Sequence, residues 1–422
     1  MDCAASGIGH VNLARMLVER GADVSAQTKN GWTALHLASE NGRVDLAWML
    51  VGRGADVSAQ MKDGATALHL ASRNGRVDLA RMLIERGADE SAQMKGGWTA
   101  LHLASLNGHV DLARMLVERG ADVSAQMKGR WTALHLASRN GHEDLARMLI
   151  EHGADESAQM KGGSTALHLA SHNGHVDLAR MLVQRGADVS AQMKGRWTPL
   201  HLASRNGHVD LARMLVERGA NVSAQMEDGT TALHLALESH HVDLAQMLVE
   251  RRADVSAQIK DGSTALHLAS QNGHVDLAQM LIESGADVSA QKEDGSTALH
   301  LASEKGHVDL SRMLVGRGAD VSAQKEDGWA ALHLASENGY VDLARMLVER
   351  RADVWAQNIY GSTALHLASW NGYVGLARML VEHGADVSAQ EKNGSTASHL
   401  ASLNGHVDLA RMLVERSTNM TP

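Results

Sequence analysis

Histidine is the residue through which this sequence could do most chemistry. Twelve of its 25 histidines, from His36 through His102 to His399, recur at intervals of 33 residues. A second row, with His109, His142, His175 and His208, follows seven residues behind the first. Rows of imidazoles invite a metal-site reading. Successive members lie one repeat apart, roughly 10 Å at helix-packing distance, too far to share an ion whose ligand bonds are near ~2 Å. Hydrogen bonding within the framework is the better account of both rows. His240-His241 is the one adjacent pair and reads as a surface accident.

Other chemistries find less support. The chain has no G-x-G-x-x-G, no Walker motif, no H-E-x-x-H and no C-x-x-C, and Gly7-Ile8-Gly9 is too short a match to count. The single cysteine, Cys3, has no plausible triad. Ser and Asp lie near His in every repeat because the repeat contains them. Without a unique polar constellation the expectation is a protein that is not an enzyme and holds no cofactor or metal.

What must position these residues is one phrase said over and over. Gly97-Trp98-Thr99-Ala100-Leu101-His102-Leu103-Ala104-Ser105 returns as Gly64 to Ser72 and as Gly163 to Ser171. The opening slot steps by 33 residues without insertion or deletion, with Arg130 and Arg196 replacing Gly at two places. Repeats open at 30, 63, 96, 129, 162, 195, 228, 261, 294, 327, 360 and 393, after a truncated unit at 1–29, within one domain spanning 1–422.

Within a repeat, Thr99 is an N-cap, and His102 stands where capping boxes carry Glu or Gln. Pro199 fits the first helical position. The first helix ends at Asn107-Gly108. A second helix follows from about Val110 to Arg119, stopped by Gly120. It is apolar except for Asp111, Arg114 and Glu118, so repeats on both sides must cover it. Asp63-Gly64 and Asp261-Gly262 read as hairpin tips. Helices this short are marginal alone, so stacking must stabilise them.

Thr198-Pro199-Leu200-His201-Leu202-Ala203 at a 33-residue period, with Gly120-Ala121-Asp122-Val123 after the second helix, resembles the ankyrin repeat over essentially the whole chain. The resemblance implies an all-α solenoid of ankyrin type: stacked helix-turn-helix units joined by β-hairpin loops, with tips and first helices lining a concave face that binds other proteins. The chain departs from the family in several places. Met61, Met94, Met127, Met160, Met193 and Met226 take the place of a usual Asp. Arg252 and Arg351 replace the Gly that ends the second helix, and Leu237-Glu238-Ser239-His240 replaces the usual turn; these joints should be weak. Glu143 takes a Val slot and would be costly if buried.

Composition fits this class. Hydrophobic residues make up 44%, aromatics only 3%, and Phe is absent, so Leu, Ala, Met and Val must build the core. The net charge of −9 speaks against nucleic acid as a partner. No apolar run approaches ~18 residues, so no membrane span is expected. The start lacks the pattern of a signal peptide. One cysteine suits a reducing compartment, cytoplasmic with the nucleus also compatible. Asn221-Val222-Ser223, Asn393-Gly394-Ser395 and Asn419-Met420-Thr421 match a glycosylation pattern by chance.

Thirteen methionines from Met16 to Met412 lie inside the second helix as core. The row from Met61 to Met226 reads either as a ladder between neighbouring tips or as a soft contact surface.

The variable slots carry the functional expectation. After the tip they hold Trp98, Trp131, Trp197 and Trp329, alternating with Ala65, Ser164 and Thr230. On the first helix they hold Arg139, Arg205 and Trp370. Early tips are basic, with Lys62, Lys95, Lys128, Arg130, Lys161, Lys194 and Arg196; later ones are acidic, with Glu227-Asp228, Glu293-Asp294 and Glu326-Asp327. Trp and Arg dominate binding hot spots. The expectation is a monomeric, non-enzymatic scaffold that binds an acidic protein partner on its first half. Repeat copying explains the lysines equally well, but not the alternation of Trp with small residues. The alternative function is a recognition arm of a larger signalling or enzymatic protein, which the missing first helix before Val11 favours. Met1 to about Gly9 is expected to fray, and Ser417–Pro422 to form a polar tail.

Overall fold

The computed structural model describes the backbone of residues 8–12 and the complete residues 13–418. Among them are 25 α-helices and no strand. The chain divides into two compact units, Met1–Ala220 and Asn221–Pro422. The first holds the helix Ile8–Glu19 and six helix pairs, from Ala34–Glu40 with Val44–Gly52 to Pro199–Arg205 with Val209–Glu217. The second holds six pairs, from Ala232–Glu238 with Val242–Glu250 to Ala397–Leu403 with Val407–Thr418.

One pair shows how the sequence dictates the unit. Ala100–Leu106 starts at Thr99, whose side chain accepts from the His102 backbone N–H, while Nδ1 of His102 accepts from the Thr99 backbone N–H. The helix stops before Gly108, which is left-handed at φ 76°. A Cβ there would sit 2.7 Å from the His142 ring of the next repeat, so this glycine provides both conformation and room. In Val110–Glu118 the residues Leu112, Ala113, Met115 and Leu116 are buried, while Asp111, Arg114 and Glu118 form the solvated stripe.

The joining loops differ from the expected hairpins. Met127 N–H donates to the Trp131 carbonyl and Arg130 N–H to the Met127 carbonyl, closing a tight turn with only isolated bridges. The chain is diverted into the Thr cap before a ladder can grow. The free edge is satisfied by the neighbouring turn instead: Lys128 N–H donates to the Gly96 carbonyl at 2.6 Å.

Arg252 and Arg351 are left-handed as expected, at φ 63° and 69°, and His240 joins them at 60°. Glu143 is not buried. It is half-exposed and ion-pairs with Arg147 one helical turn on, which relieves the cost of its Val slot. The polar tail begins later than expected. The last helix continues through Ser417 and Thr418, because Ser417 stands where other repeats place the glycine stop; Asn419–Pro422 lie outside the described residues. The expected fraying of Met1–Gly9 also falls mostly outside them, but Ile8 and Gly9 are helical.

Leu13 and Leu17 are exposed, as expected where no repeat covers them, but Val18 is buried, and Met16, expected in the core, is exposed. At the other end Ser398 replaces the helix Leu, which would suit an end facing water, yet Leu403, Val407 and Val414 are exposed there. The last repeat keeps the apolar residues with which the others meet their neighbours.

Candidate functional site

Both histidine rows are framework. In the first, Oγ1 of Thr99 lies 2.8 Å from Nδ1 of His102, and Nε2 of His102 lies 3.3 Å from the Trp131 carbonyl of the next repeat. Because Nδ1 accepts a backbone N–H, the proton sits on Nε2, which donates forward. His36, His69 and His168 bond forward in the same way in the first unit. In the second unit His300 and His333 reach the Trp329 and Ser362 carbonyls of the next repeat, while His267 and His366 bond to the Ala290 and Ala389 carbonyls. Burial pushes these imidazoles below their ordinary value, with His135, His168 and His234 down to about 4. The second row bonds backward: His109 Nε2 to the Arg73 carbonyl and His175 Nε2 to the Arg139 carbonyl, each 3.1 Å. Among the described residues no group of three or more His, Cys, Asp or Glu could hold a metal ion.

The backward row's partners were not legible in the sequence, because they lie 36 residues away across a helix end. His240 and His274 mark a break in it, and Tyr340 and Tyr373 take the imidazole's place over Gly306 and Gly339. The rings of His240 and His274 meet edge-on at 6.2 Å, and Nε2 of His274 is buried without a partner. His240 occupies the glycine slot over which the next imidazole must sit, and crowds it.

The tip tryptophans rest on this framework. Trp98, Trp131 and Trp197 meet His102, His135 and His201 edge-on, at 6.2, 6.3 and 6.2 Å between ring centres. Trp329 lies 5.9 Å from His333 in a tilted contact. All four are half-buried rather than fully exposed, since the slot begins inside the repeat: Ala65, Thr230, Ser263 and Ser296 at equivalent positions are buried. Each indole is a platform whose inner edge is fixed and whose outer edge reaches solvent.

First-helix arginines extend two of these platforms. The Arg139 guanidinium lies 5.7 Å from the Trp131 ring centre and that of Arg205 5.5 Å from Trp197. Arg130 and Arg196 are exposed at the same two tips and left-handed, at φ 65° and 62°. The structure therefore brings together Arg130, Trp131 and Arg139, and likewise Arg196, Trp197 and Arg205. Trp98 has no such arginine, because Leu106 takes its place. Arg73 is instead paired with Glu40 at 2.8 Å.

Trp329 and Trp370 belong to the second unit and to successive repeats. Trp370 is exposed, as are Ile359 and Tyr360, and Trp355, whose Nε1 donates to the Gly384 carbonyl at 2.9 Å. Trp355 escaped the sequence reading, although its signal was there: it replaces the Ser of the repeated Asp-Val-Ser.

In the methionine row Met61, Met94, Met127 and Met193 meet the preceding tips through their backbones. Met61, Met94, Met127, Met160, Met193 and Met226 are all half-buried. The Met61 and Met94 backbones close over the preceding tip glycines, where a Cβ on Gly31 would meet Met61 Cα at 2.8 Å.

A family model described as ankyrin repeats in three copies matches eight overlapping stretches, from 1–61 through 120–193 to 352–422, and so tiles the sequence. The chain belongs to the ankyrin-repeat family. No curated protein matches it. Ankyrin repeats are in general protein-interaction modules, and no described helix is long and apolar enough to cross a membrane.

Proposed function

We propose that the chain is a non-enzymatic protein-interaction scaffold whose docking face is formed by the tips and first helices of the first unit, the concave face in the family it belongs to. The observation that carries this reading is the pairing of Arg139 with Trp131 and of Arg205 with Trp197 beside exposed Arg130 and Arg196. Aromatic platforms held rigid beneath and flanked by cations lose little entropy on binding, and Trp and Arg are among the residues most enriched in hot spots. The unbalanced lysines of the same tips favour an acidic protein and would hasten its encounter. The buried first-row histidines such as His102 and His135 serve the stack as hydrogen-bonding groups, and Cys3 suits an intracellular setting.

The test is affinity capture with the full chain, identification of what binds, and repetition with Lys95, Lys128 and Lys161 changed to Glu. Loss of a protein partner in the reversed variant supports the reading. Recovery of the same partner undiminished would move the interface elsewhere.

A further inference from the structure

The tips of the first unit form a ladder with one lysine per rung. Lys62 N–H donates to the Asn30 carbonyl at 3.0 Å, Lys95 to Asp63 at 2.7 Å, and Lys128 to Gly96 at 2.6 Å. Lys161 and Lys194 repeat the bond to Gly129 and Gly162, both at 2.7 Å. The lysines are therefore fixed at a constant pitch, one repeat apart, roughly 10 Å at helix-packing distance. All five side chains are exposed. Among the described residues none of them forms an ion pair. Asp63 is the one acidic residue in these tips, and its carboxylate is turned inward to accept the Ala65 N–H.

The same rung position in the second unit carries Glu293, Glu326, Ile359 and Lys392, on the same backbone bonds to Asp261, Asp294, Asp327 and Tyr360, and Lys260 stands at it one repeat before Glu293. There Lys292 and Lys325 are drawn into ion pairs with tip aspartates. The backbone ladder does not require lysine. Only in the first unit is an unpaired cation presented at every rung.

We propose that this lysine ladder is a docking track for an acidic polypeptide segment in the polyproline II conformation, with a carboxylate at every third residue. The inference rests on the reading of the first unit as a protein-binding face. A polyproline II chain has three residues per turn and rises ~3.1 Å per residue, so every third side chain lies on one side at ~9 Å spacing. A β-strand cannot match this pitch, because its side chains alternate and residues three apart face opposite ways. Such a segment has no internal hydrogen bonds and little entropy to lose, and it docks on aromatic surfaces. Trp98 and Trp131 sit three residues beyond the lysines at successive rungs, with Trp197 two rungs on. They supply that surface between the cations.

The experiment uses the full chain and three fluorescent probes, read by anisotropy at one salt concentration. One probe repeats Asp-Pro-Pro. The second has the same composition with its aspartates gathered at one end. The third is an oligothymidylate of equal charge. The expected result is at least ~10-fold tighter binding of the first probe than of either other. That preference should vanish when Lys95, Lys128 and Lys161 become Glu, and weaken by an intermediate factor when they become Gln. Melting should be unchanged in both variants, since the side chains hold no bond in the stack.

Equal affinity for the two peptides would show a face that senses net charge only. Equal or tighter binding of the oligonucleotide would show a phosphate-binding face, and no peptide binding would show no track at all. Each of these overturns the inference. The broader reading is decided separately, by whether a captured protein still binds when Trp131 and Trp197 are replaced.

Discussion

A first-row histidine such as His135 or His168 is a buried group whose neutral form is favoured by burial and by its bonds on both sides. Its folded pKa lies below the unfolded value near ~6.5, so the unfolded chain takes up protons first as pH falls. The stabilisation is complete above pH ~6.5 and is lost progressively toward pH 4. At pH 5 the deficit reaches about 2 kcal/mol for each of His135, His168 and His234, whose values lie at about 4. Thermal melts from pH 7.5 to 5 should show a steep fall, and a flat profile would mean the imidazoles are solvated. A second residue-scale prediction concerns the serine beside each histidine helix. The hydroxyls of Ser72, Ser105 and Ser138 are buried without a partner. Changing any one to Ala removes an unsatisfied polar group and should stabilise by about 1 kcal/mol, read as a higher denaturant midpoint at constant slope.

At the scale of the helix pair, the repeat was legible almost to the residue. Thr99, Asn107-Gly108 and Gly120 mark its boundaries by local chemistry, and the expected ends fall within about one position of those observed. What the sequence could not show is how one repeat meets the next. The backward histidine bonds and the short turn-to-turn bonds join residues more than thirty positions apart, and no local pattern encodes them. The break at His240 follows from the same geometry. His240→Gly removes a strained left-handed residue and lets the His274 ring settle over the turn. Arg252→Gly relieves the corresponding strain at the end of the second helix. Each should stabilise by about 1 kcal/mol. A lower melting temperature in either variant would show that the side chain contributes more than its backbone costs.

Over the molecule as a whole, periodicity establishes the family and the core, while function must be read from deviations. The tip tryptophans were visible as deviations, but not their seating on the histidines; a sequence places them in a slot without revealing that the slot is half inside. The charge contrast between the units was fully visible, since tips are exposed by construction. Its use by a partner is the central claim. The measurement that tests it most directly is the affinity of a captured partner for the chain with Trp131 and Trp197 both changed to Ala, beside a Trp370→Ala control. The two indoles should together cost at least ~2 kcal/mol of binding, with the control unchanged and all variants retaining their helical content. Unaltered affinity in the double variant, with loss in the control, would contradict the account and place the interface near Tyr360 and Trp370.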